Sequence, residues 1–271
     1  MSRVKRNNLF PDTLYRRVVS GHLLYAPVVT VEGGKTIFVS GLVSRDREGN
    51  LIGKGDMAAQ IRQVGENLRL SLEAAGATLK DLVRTCTYVT DIDEFFRHVE
   101  TRQKYFGEAL PSSSTIGVSR LSHPDFMVEV EAFAAIDAGP LKKLAFNPAT
   151  LAPPVGHFDR AVKIGPWLFI SGTSALTHKT GRIEERKLSP SIEEQTRETL
   201  TNIQRVCEDA GYALEDIYEI RYFITRREFF GKVDAIVKEF LPRRGFVCHA
   251  YQAEMMNPGM LIEIEANAYR E

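Results

Sequence analysis

Two stretches of the sequence share one layout and decide the fold. They read PRRGFVCH at 242–249 followed by LIEIEA at 261–266, and PSSSTIGV at 111–118 followed by MVEVEA at 127–132. Each has a proline, a short apolar run and then a segment in which glutamates alternate with apolar residues. The later copy carries two arginines directly after its proline, whereas the earlier copy carries serines. The sequence is therefore a duplication in which one copy has kept a charge pair that the other has lost.

The repeat extends outward from these stretches over most of the chain. WLFISG at 167–172 matches TIFVSG at 36–41, and residues 195–211 match residues 60–76. Apolar residues at helical spacing in the latter pair predict an amphipathic helix in each copy. β-rich runs on either side predict strands. The order strand, strand, helix, strand, helix, strand, strand predicts an α+β fold, with a mixed sheet and two helices on one face of it in each copy.

The matches also predict the domain organisation. Residues 1–24 match nothing in the second half and are interpreted as an N-terminal arm. The first domain covers 25–137, a turn-rich linker covers 138–155, and the second domain covers 156–271. Each repeat is about 110 to 120 residues, so it is a whole domain and not the unit of a solenoid.

Composition narrows the function classes. The formal net charge of the 271 residues is zero, which gives no electrostatic reason to expect nucleic acid or an anionic membrane as a partner. Near-zero charge mildly favours self-association. Three scattered cysteines favour a reducing, cytoplasmic location. The basic N-terminus lacks the apolar core of a secretory signal, and no run approaches about 18 apolar residues, so we predict no membrane span.

The two ordered copies of these motifs resemble the Rid (YjgF-like, reactive intermediate deaminase) family. The resemblance implies a chorismate-mutase-like fold in each repeat and a ring of three domains with ligand clefts between neighbours. In the family, these clefts hydrolyse enamines and imines derived from amino acids. Two domains cannot close a ring of three, so we expect a homo-oligomer, most simply a trimer of tandem chains.

The resemblance assigns a charged pair to the second repeat. The family's carboxylate-binding arginine, which follows a Pro-Ala pair, falls on Arg244, and Ser113 takes that position in the first repeat. A planar guanidinium matches a carboxylate in two hydrogen bonds, although a solvated arginine is the alternative. The family's water-activating glutamate falls on Glu263. Because Glu263 and Glu265 share one face of a strand, a solvent-exposed outer face is the alternative for both.

The rest of the expected site follows from the same resemblance. Ser171 and Gly172 take the place of the family's Ser-Gly pair, where glycine lets a ligand approach the backbone. The alternative is that the pair simply ends a strand. The family's early aromatic residue falls on Phe158, and on Pro27 in the first repeat. The expected substrate-binding residues besides Arg244 are Phe158, Phe246, Cys248 and Tyr251.

We predict neither a metal nor an organic cofactor. Cys248 and His249 are adjacent on a predicted strand, so their side chains point to opposite faces and cannot easily share a metal ion. No glycine-rich phosphate loop joins a strand to a helix.

The predicted function is hydrolytic deamination of a small enamine or imine carboxylate. Glu263, Ser171 and Gly172 would place and activate water, and Arg244 would hold the carboxylate. Two alternatives stay open. One is a chorismatase-like enzyme acting on a cyclic dicarboxylate, for which the longer segment at 252–258 leaves room. The other is a non-catalytic protein that binds small carboxylates in a regulatory role, since the first copy has already lost the arginine.

Overall fold

A computed structural model describes residues 5–16, 18–19, 22–23, 26–32, 35–136, 142–176, 187–242 and 246–271. The chain forms two compact units. Unit 1 comprises residues 1–111 and 118–142, and unit 2 comprises residues 112–117 and 143–271. Each unit contains a β-sheet with helices packed on it, so the prediction of two tandem α+β domains is confirmed.

Unit 1 follows the predicted element order. Its elements are β1 (Lys5–Leu9), β2 (Val18–Val19), β3 (His22–Leu23), β4 (Val28–Glu32), β5 (Thr36–Val43), α1 (Met57–Ala74), β6 (Leu82–Val89), α2 (Ile92–Arg97), α3 (Val99–Phe106) and β8 (Val128–Ala135). Its main sheet has the strand order β1-β4-β5-β8-β6. The second helix was expected to be continuous. It is interrupted at His98, whose φ of −94° and ψ of 47° lie outside the helical region.

Unit 2 repeats the arrangement. Its elements are β7 (Ser112–Gly117), β9 (Lys143–Phe146), β10 (Ala161–Ile164), β11 (Trp167–Thr173), α4 (Ile192–Asp209), β12 (Ile217–Ile224), α5 (Phe230–Phe240), β13 (Val247–Gln252) and β14 (Ile262–Tyr269). The sheet has the order β13-β12-β14-β11-β10-β9, with β12 and β13 parallel and the other pairs antiparallel. Strand β7, which was expected to close the first repeat, groups with unit 2, where it lies against β11.

The core of unit 2 shows why these elements form. One stripe of α4, including Leu200, Ile203 and Val206, is buried against the sheet residues Ile220 and Ile264. The Ser191 side chain accepts a hydrogen bond from the backbone N–H of Glu194 at 3.3 Å and so caps the start of α4. No helix in the described part of the chain is long and apolar enough to cross a membrane.

Both units begin with an edge strand and a buried leucine. β1 pairs antiparallel with β4, and β9 pairs in the same way with β10. The turn after each is also the same: Leu14 N–H donates to the Pro11 carbonyl at 3.1 Å, and Leu151 N–H donates to the Pro148 carbonyl at 3.0 Å. Residues 5–14 of the N-terminal segment thus share a strand and a turn with residues 143–151. Their polar strand is too short to be recognised by hydrophobic periodicity.

A buried glutamine on the first helix of each unit fixes the start of the last strand. Gln60 accepts a hydrogen bond from Met127 N–H at 2.9 Å and donates to the Asp125 carbonyl at 2.8 Å. In unit 2, Gln195 accepts one from Leu261 N–H at 2.9 Å. Met127 and Leu261 each precede by two positions a glutamate of the last strand, so the glutamine sets where that glutamate lies.

We predict that Gln195→Leu destabilises the protein far more than Gln204→Leu, a matched change on the same helix. The first removes the hydrogen-bond partner of the Leu261 N–H and of the Ser189 and Gly259 carbonyls and leaves an apolar side chain in place of a buried amide, which should lower the free energy of unfolding by about 2–4 kcal/mol. Gln204 only bonds Glu208 on the surface, so its loss should cost less than about 0.5 kcal/mol. Urea unfolding of the two variants measures the difference, and equal midpoints would contradict the structural role of Gln195.

Candidate functional site

The Ser-Gly pair of each unit forms a β-bulge. The register between β5 and β8 shifts between Val39 and Leu42, where Ser40 and Gly41 lie. The register between β11 and β14 shifts at the equivalent point, where Ser171 and Gly172 lie. A bulge leaves backbone groups outside the regular pairing and bends the strand. The Ser-Gly motif, which suggested a ligand site, therefore interrupts the regular strand pairing in both sheets.

In each unit a glutamate carboxylate occupies the space beside the bulge. A Cβ atom built on Gly41 would lie 2.0 Å from Oε1 of Glu129, and one built on Gly172 would lie 2.0 Å from Oε1 of Glu263. Real Cβ atoms do not approach an oxygen so closely, so only glycine permits this contact. The spacing of Ser-Gly and Glu in the two repeats therefore reflects a shared steric requirement.

The bulge of unit 1 opens into a cavity of about 500 Å³. Seven residues line the cavity: Tyr15, Ser40, Gly41, Val43, Arg45, Ser122 and Glu129. A volume of this size is typical of small-molecule sites. The predicted site did not include this space, because the family's arginine falls in the second repeat.

The Glu129 carboxyl group has a raised pKa. Burial raises its pKa above the ordinary value, and the nearby charge of Glu131 raises it further. A carboxyl group with a raised pKa takes up and releases protons closer to neutral pH than a solvated glutamate does. Glu129 can therefore act as an acid or a base towards a molecule in the cavity.

The Glu263 carboxyl in unit 2 is more deeply enclosed. Its side chain is on β14, and the residue is 8% exposed. Burial is the main cause that raises its pKa to about 8; Glu265 adds to the shift and the charge of Arg160 opposes it. Glu265 is only 2% exposed. The alternative that places both glutamates on a solvent-exposed face of the sheet is therefore wrong.

The polar groups beside Glu263 have partners on β7. The Ser171 hydroxyl donates to the Asp159 carbonyl at 2.5 Å and accepts from Ser113 N–H at 2.9 Å. The Gly172 N–H donates to Ser114 Oγ at 3.0 Å. Strand β7 thus takes up the hydrogen-bonding groups that a substrate or water would use. The catalytic assignment of Ser171, Gly172 and Glu263 stays a prediction.

The predicted binding residues are spread over unit 2. Tyr251 on β13 and Glu263 on β14 are both paired with Phe223 of β12, so the three lie in one row across the sheet. The ring of Phe223 stacks on Tyr251 with centroids 5.5 Å apart. Cys248 is in the row of Ile220, three positions from Tyr251, and so faces the opposite side of the sheet.

The remaining predicted residues are less informative. Phe158 is half-buried, with the Arg160 guanidinium 5.9 Å from its ring centroid. Phe246 is half-buried just before β13. Arg244 lies outside the described residues.

The assignment of Pro27 as the counterpart of Phe158 needs correction. Ser40 N–H donates to the Pro27 carbonyl at 3.0 Å, and Ser171 N–H donates to the Arg160 carbonyl at 2.9 Å. Pro27 therefore corresponds to Arg160. By the same register, Phe158 corresponds to Tyr25, which lies outside the described residues.

Three cavity residues escaped the sequence interpretation. Tyr15 belongs to a segment that was given no role, Arg45 to a loop, and Ser122 to the connection before β8. The sequence signal that could have indicated this cavity is the position of Arg45, four residues after Gly41 of the Ser-Gly motif. Among the described residues, no group of three or more His, Cys, Asp or Glu side chains is placed to hold a metal ion.

Comparison with known proteins identifies the family. A family model described as Endoribonuclease L-PSP matches residues 23–136 and again residues 149–270. The chain belongs to this family. It is a tandem member of the Rid (YjgF-like) proteins, as its duplicated motifs indicated.

Individual relatives match about one repeat. A RutC family protein of Pyrococcus horikoshii is 38% identical over 104 residues, which cover 38% of this chain and 82% of that protein. The 2-iminobutanoate/2-iminopropanoate deaminase of Escherichia coli K12 is 33% identical over 107 residues, covering 38% of this chain and 82% of that protein. A putative endoribonuclease of Thermotoga maritima, a solved structure, is 24% identical with a TM-score of 0.44, covering 48% of this chain and 99% of that one.

We predict that the same glycine substitution has unequal effects in the two units of this Rid protein. In Gly172→Ala, the new methyl group meets both the Glu263 carboxylate and Ser114 Oγ, which lies 2.8 Å away, so neither can move aside. Overpacking of this kind should cost about 1–3 kcal/mol in the free energy of unfolding. In Gly41→Ala, the Glu129 carboxylate can turn into the cavity, and we expect a cost below about 1 kcal/mol.

Thermal or urea unfolding of the two glycine variants, measured side by side, checks this difference. A larger loss for Gly41→Ala than for Gly172→Ala would mean that the cavity is not available to the glutamate.

Proposed function

We propose that this Rid protein hydrolyses small imine or enamine carboxylates in the cavity of unit 1. One observation carries the proposal: the Glu129 carboxylate, next to the bulge at Gly41, faces a cavity of about 500 Å³. The relatives named 2-iminobutanoate/2-iminopropanoate deaminase supply the substrate class.

The proposed reaction uses one group for both proton transfers. Glu129 removes a proton from water while the water oxygen bonds to the imine carbon, and it gives that proton to the imine nitrogen, so that a carbinolamine forms. Glu129 then takes the hydroxyl proton of the carbinolamine and passes it to the nitrogen as the C–N bond breaks. Ammonia leaves and a 2-oxo acid remains. An enamine substrate first takes a proton on its terminal carbon to become the imine. A raised pKa suits Glu129 to both steps near neutral pH.

The residues predicted from the sequence define an alternative location for the same reaction. There, Glu263, Ser171 and Gly172 activate water, and Arg244 holds the carboxylate beside Phe158, Phe246, Cys248 and Tyr251. The hydrogen bond from Gly172 N–H to Ser114 Oγ favours unit 1 instead, because it takes up a donor that the alternative needs.

We expect Glu129→Gln to slow imine hydrolysis by about 100-fold or more, since positioned acid–base groups contribute factors of this size. Glu263→Gln is the matched control and should retain the rate within about threefold, because β7 already takes up the hydrogen-bonding groups of Ser171 and Gly172 beside it. The measurement generates 2-iminobutanoate in solution and follows its loss with each protein.

The outcomes separate the hypotheses. If Glu263→Gln slows imine hydrolysis more than Glu129→Gln does, the reaction would be assigned to unit 2. No acceleration by the wild type would exclude deamination, and turnover of a cyclic dicarboxylate or binding without turnover would then support one of the other functions.

We also propose that the protein assembles with copies of itself through β13. This strand is at the edge of the unit 2 sheet, and its Val247 and Tyr251 are 56% and 47% exposed. An open strand edge with exposed apolar side chains is a ready surface for pairing. Three chains would make the simplest closed assembly for a family that forms rings. The three cysteines form no disulfide with one another, which is in keeping with the proposed cytoplasmic location.

Val247→Lys should shift the assembly towards monomers, because a charge on the edge opposes strand pairing. Val99→Lys is the control, since Val99 is 49% exposed on the helix α3 of unit 1 and is not part of a strand. Sedimentation equilibrium over a range of concentrations gives the mass of each variant. A wild-type protein that is monomeric, or a mass that falls equally in both lysine variants, would contradict the proposal.

A further inference from the structure

Arg45 is the one positively charged residue among the seven that line the unit 1 cavity. It follows the Ser-Gly bulge by four positions and is half-buried. Glu129 lines the same cavity. The cavity therefore presents an anion-binding group and a proton-exchanging group to the same small volume.

The Arg45 side chain is held in place by other parts of unit 1. Its Nη1 donates a hydrogen bond to the Gly49 carbonyl. Its guanidinium carbon lies 5.3 Å from the ring centroid of Tyr15 and 4.9 Å from that of Phe126. Aromatic rings orient a guanidinium while leaving its edge free for hydrogen bonds.

The backbone of Arg45 is also fixed. Its carbonyl accepts a hydrogen bond from Asn67 Nδ2 at 2.9 Å and one from Gln63 Nε2 at 3.3 Å, both from α1. A side chain on an anchored backbone loses little freedom when it binds a ligand, which is the condition for a pre-organised site.

Among the residues that the structure describes, no acidic side chain pairs with Arg45. Within the described parts of unit 1, the Arg45 side chain makes the hydrogen bond to Gly49 and the two ring contacts, and it forms no ion pair. By contrast, most of the arginines that the structure describes in helices have carboxylate partners, such as Arg69 with Glu66 at 2.8 Å. The charge of Arg45 is thus available to an anion in the cavity.

Unit 2 lacks this arrangement. The position four residues after Gly172 is Leu176, where unit 1 has Arg45. The residue after the buried leucine is Ala152, where unit 1 has Tyr15. The arginine and its aromatic support thus occur together in unit 1 and are both missing from unit 2.

We propose that Arg45 binds the carboxylate of the ligand in the unit 1 cavity, and that the ligand is a small 2-imino or 2-oxo acid. Two of the guanidinium nitrogens remain for the carboxylate after Nη1 has bonded Gly49, which suits a paired contact. Tyr15 supports the guanidinium and forms one wall. This inference deepens the proposed function, on which its substrate class rests, and it assigns to Arg45 the role expected of Arg244.

The test measures binding of 2-oxobutanoate, the product of the proposed reaction, by calorimetry. Arg45→Gln keeps a donor for the Gly49 carbonyl but removes the charge, and we expect about 10- to 100-fold weaker binding. Arg47→Gln is the matched control: it removes the same charge from an exposed position two residues away and should leave binding within about twofold. Arg244→Gln tests the alternative location, in which that arginine holds the carboxylate.

The results decide between distinct failures. Unchanged binding in Arg45→Gln, equal loss in Arg47→Gln, or loss in Arg244→Gln alone would overturn the inference, as would a wild type that does not bind 2-oxobutanoate. If binding depends on Arg45 but the wild type does not accelerate imine loss, the carboxylate site stands and the deaminase proposal fails.

A second variant protects the test against misfolding. Arg45→Lys keeps the charge but loses the planar fork, so binding should fall by about 3- to 10-fold with the fold preserved. In imine hydrolysis, Arg45→Lys should raise KM more than it lowers kcat, whereas Glu129→Gln should act mainly on kcat. If Arg45→Lys and Arg45→Gln both fold and both bind 2-oxobutanoate with wild-type affinity, the assignment is overturned.

Discussion

The close contact between a glutamate carboxylate and a bulged glycine is the constraint on which both units depend. At Gly41 and at Gly172, a Cβ atom would overlap the carboxylate in its present position, so the glycine of the bulge allows the glutamate to lie there. The buried Gln60 and Gln195 fix the strand that brings the glutamate to this point. A carboxyl group placed there is desolvated, and desolvation raises its pKa in both units. The fold therefore creates an unusual carboxyl group before any ligand is considered.

What lies in front of the carboxyl group differs between the units. Beside Glu263, strand β7 supplies Ser113 and Ser114, whose backbone and hydroxyl groups satisfy the Ser-Gly bulge. Beside Glu129 there is a cavity instead. Satisfied buried polar groups stabilise a fold, whereas an open polar cavity is filled by water or by ligand. The two copies thus differ in what surrounds the same carboxyl group: a strand satisfies the bulge of unit 2, and a cavity lies beside the bulge of unit 1.

The sequence predicted the architecture because the strongest signals were duplicated. The helical spacing in α1 and α4 and the alternating glutamates in β8 and β14 occur twice in the same order, so chance agreement was excluded. Weaker elements were missed for physical reasons. Strand β1 is polar, and its place in the sheet comes from pairing with β4. Likewise, nothing in the local pattern of residues 112–117 indicates that their partners lie on β11. Such partners are chosen by tertiary contacts, which local propensity does not encode.

The site was harder to predict than the fold, because a motif shows which residues are present but not what surrounds them. Both Ser-Gly pairs and both glutamates matched the family pattern, and the arginine motif directed attention to the second repeat. The neighbours that distinguish the two carboxyl groups come from elsewhere: Ser114 from β7, and Arg45 from a loop. Loops tolerate substitution because few of their side chains are buried, so an arginine gained there costs little stability. New binding groups are therefore expected first in such loops, around a carboxyl group that the fold has already placed.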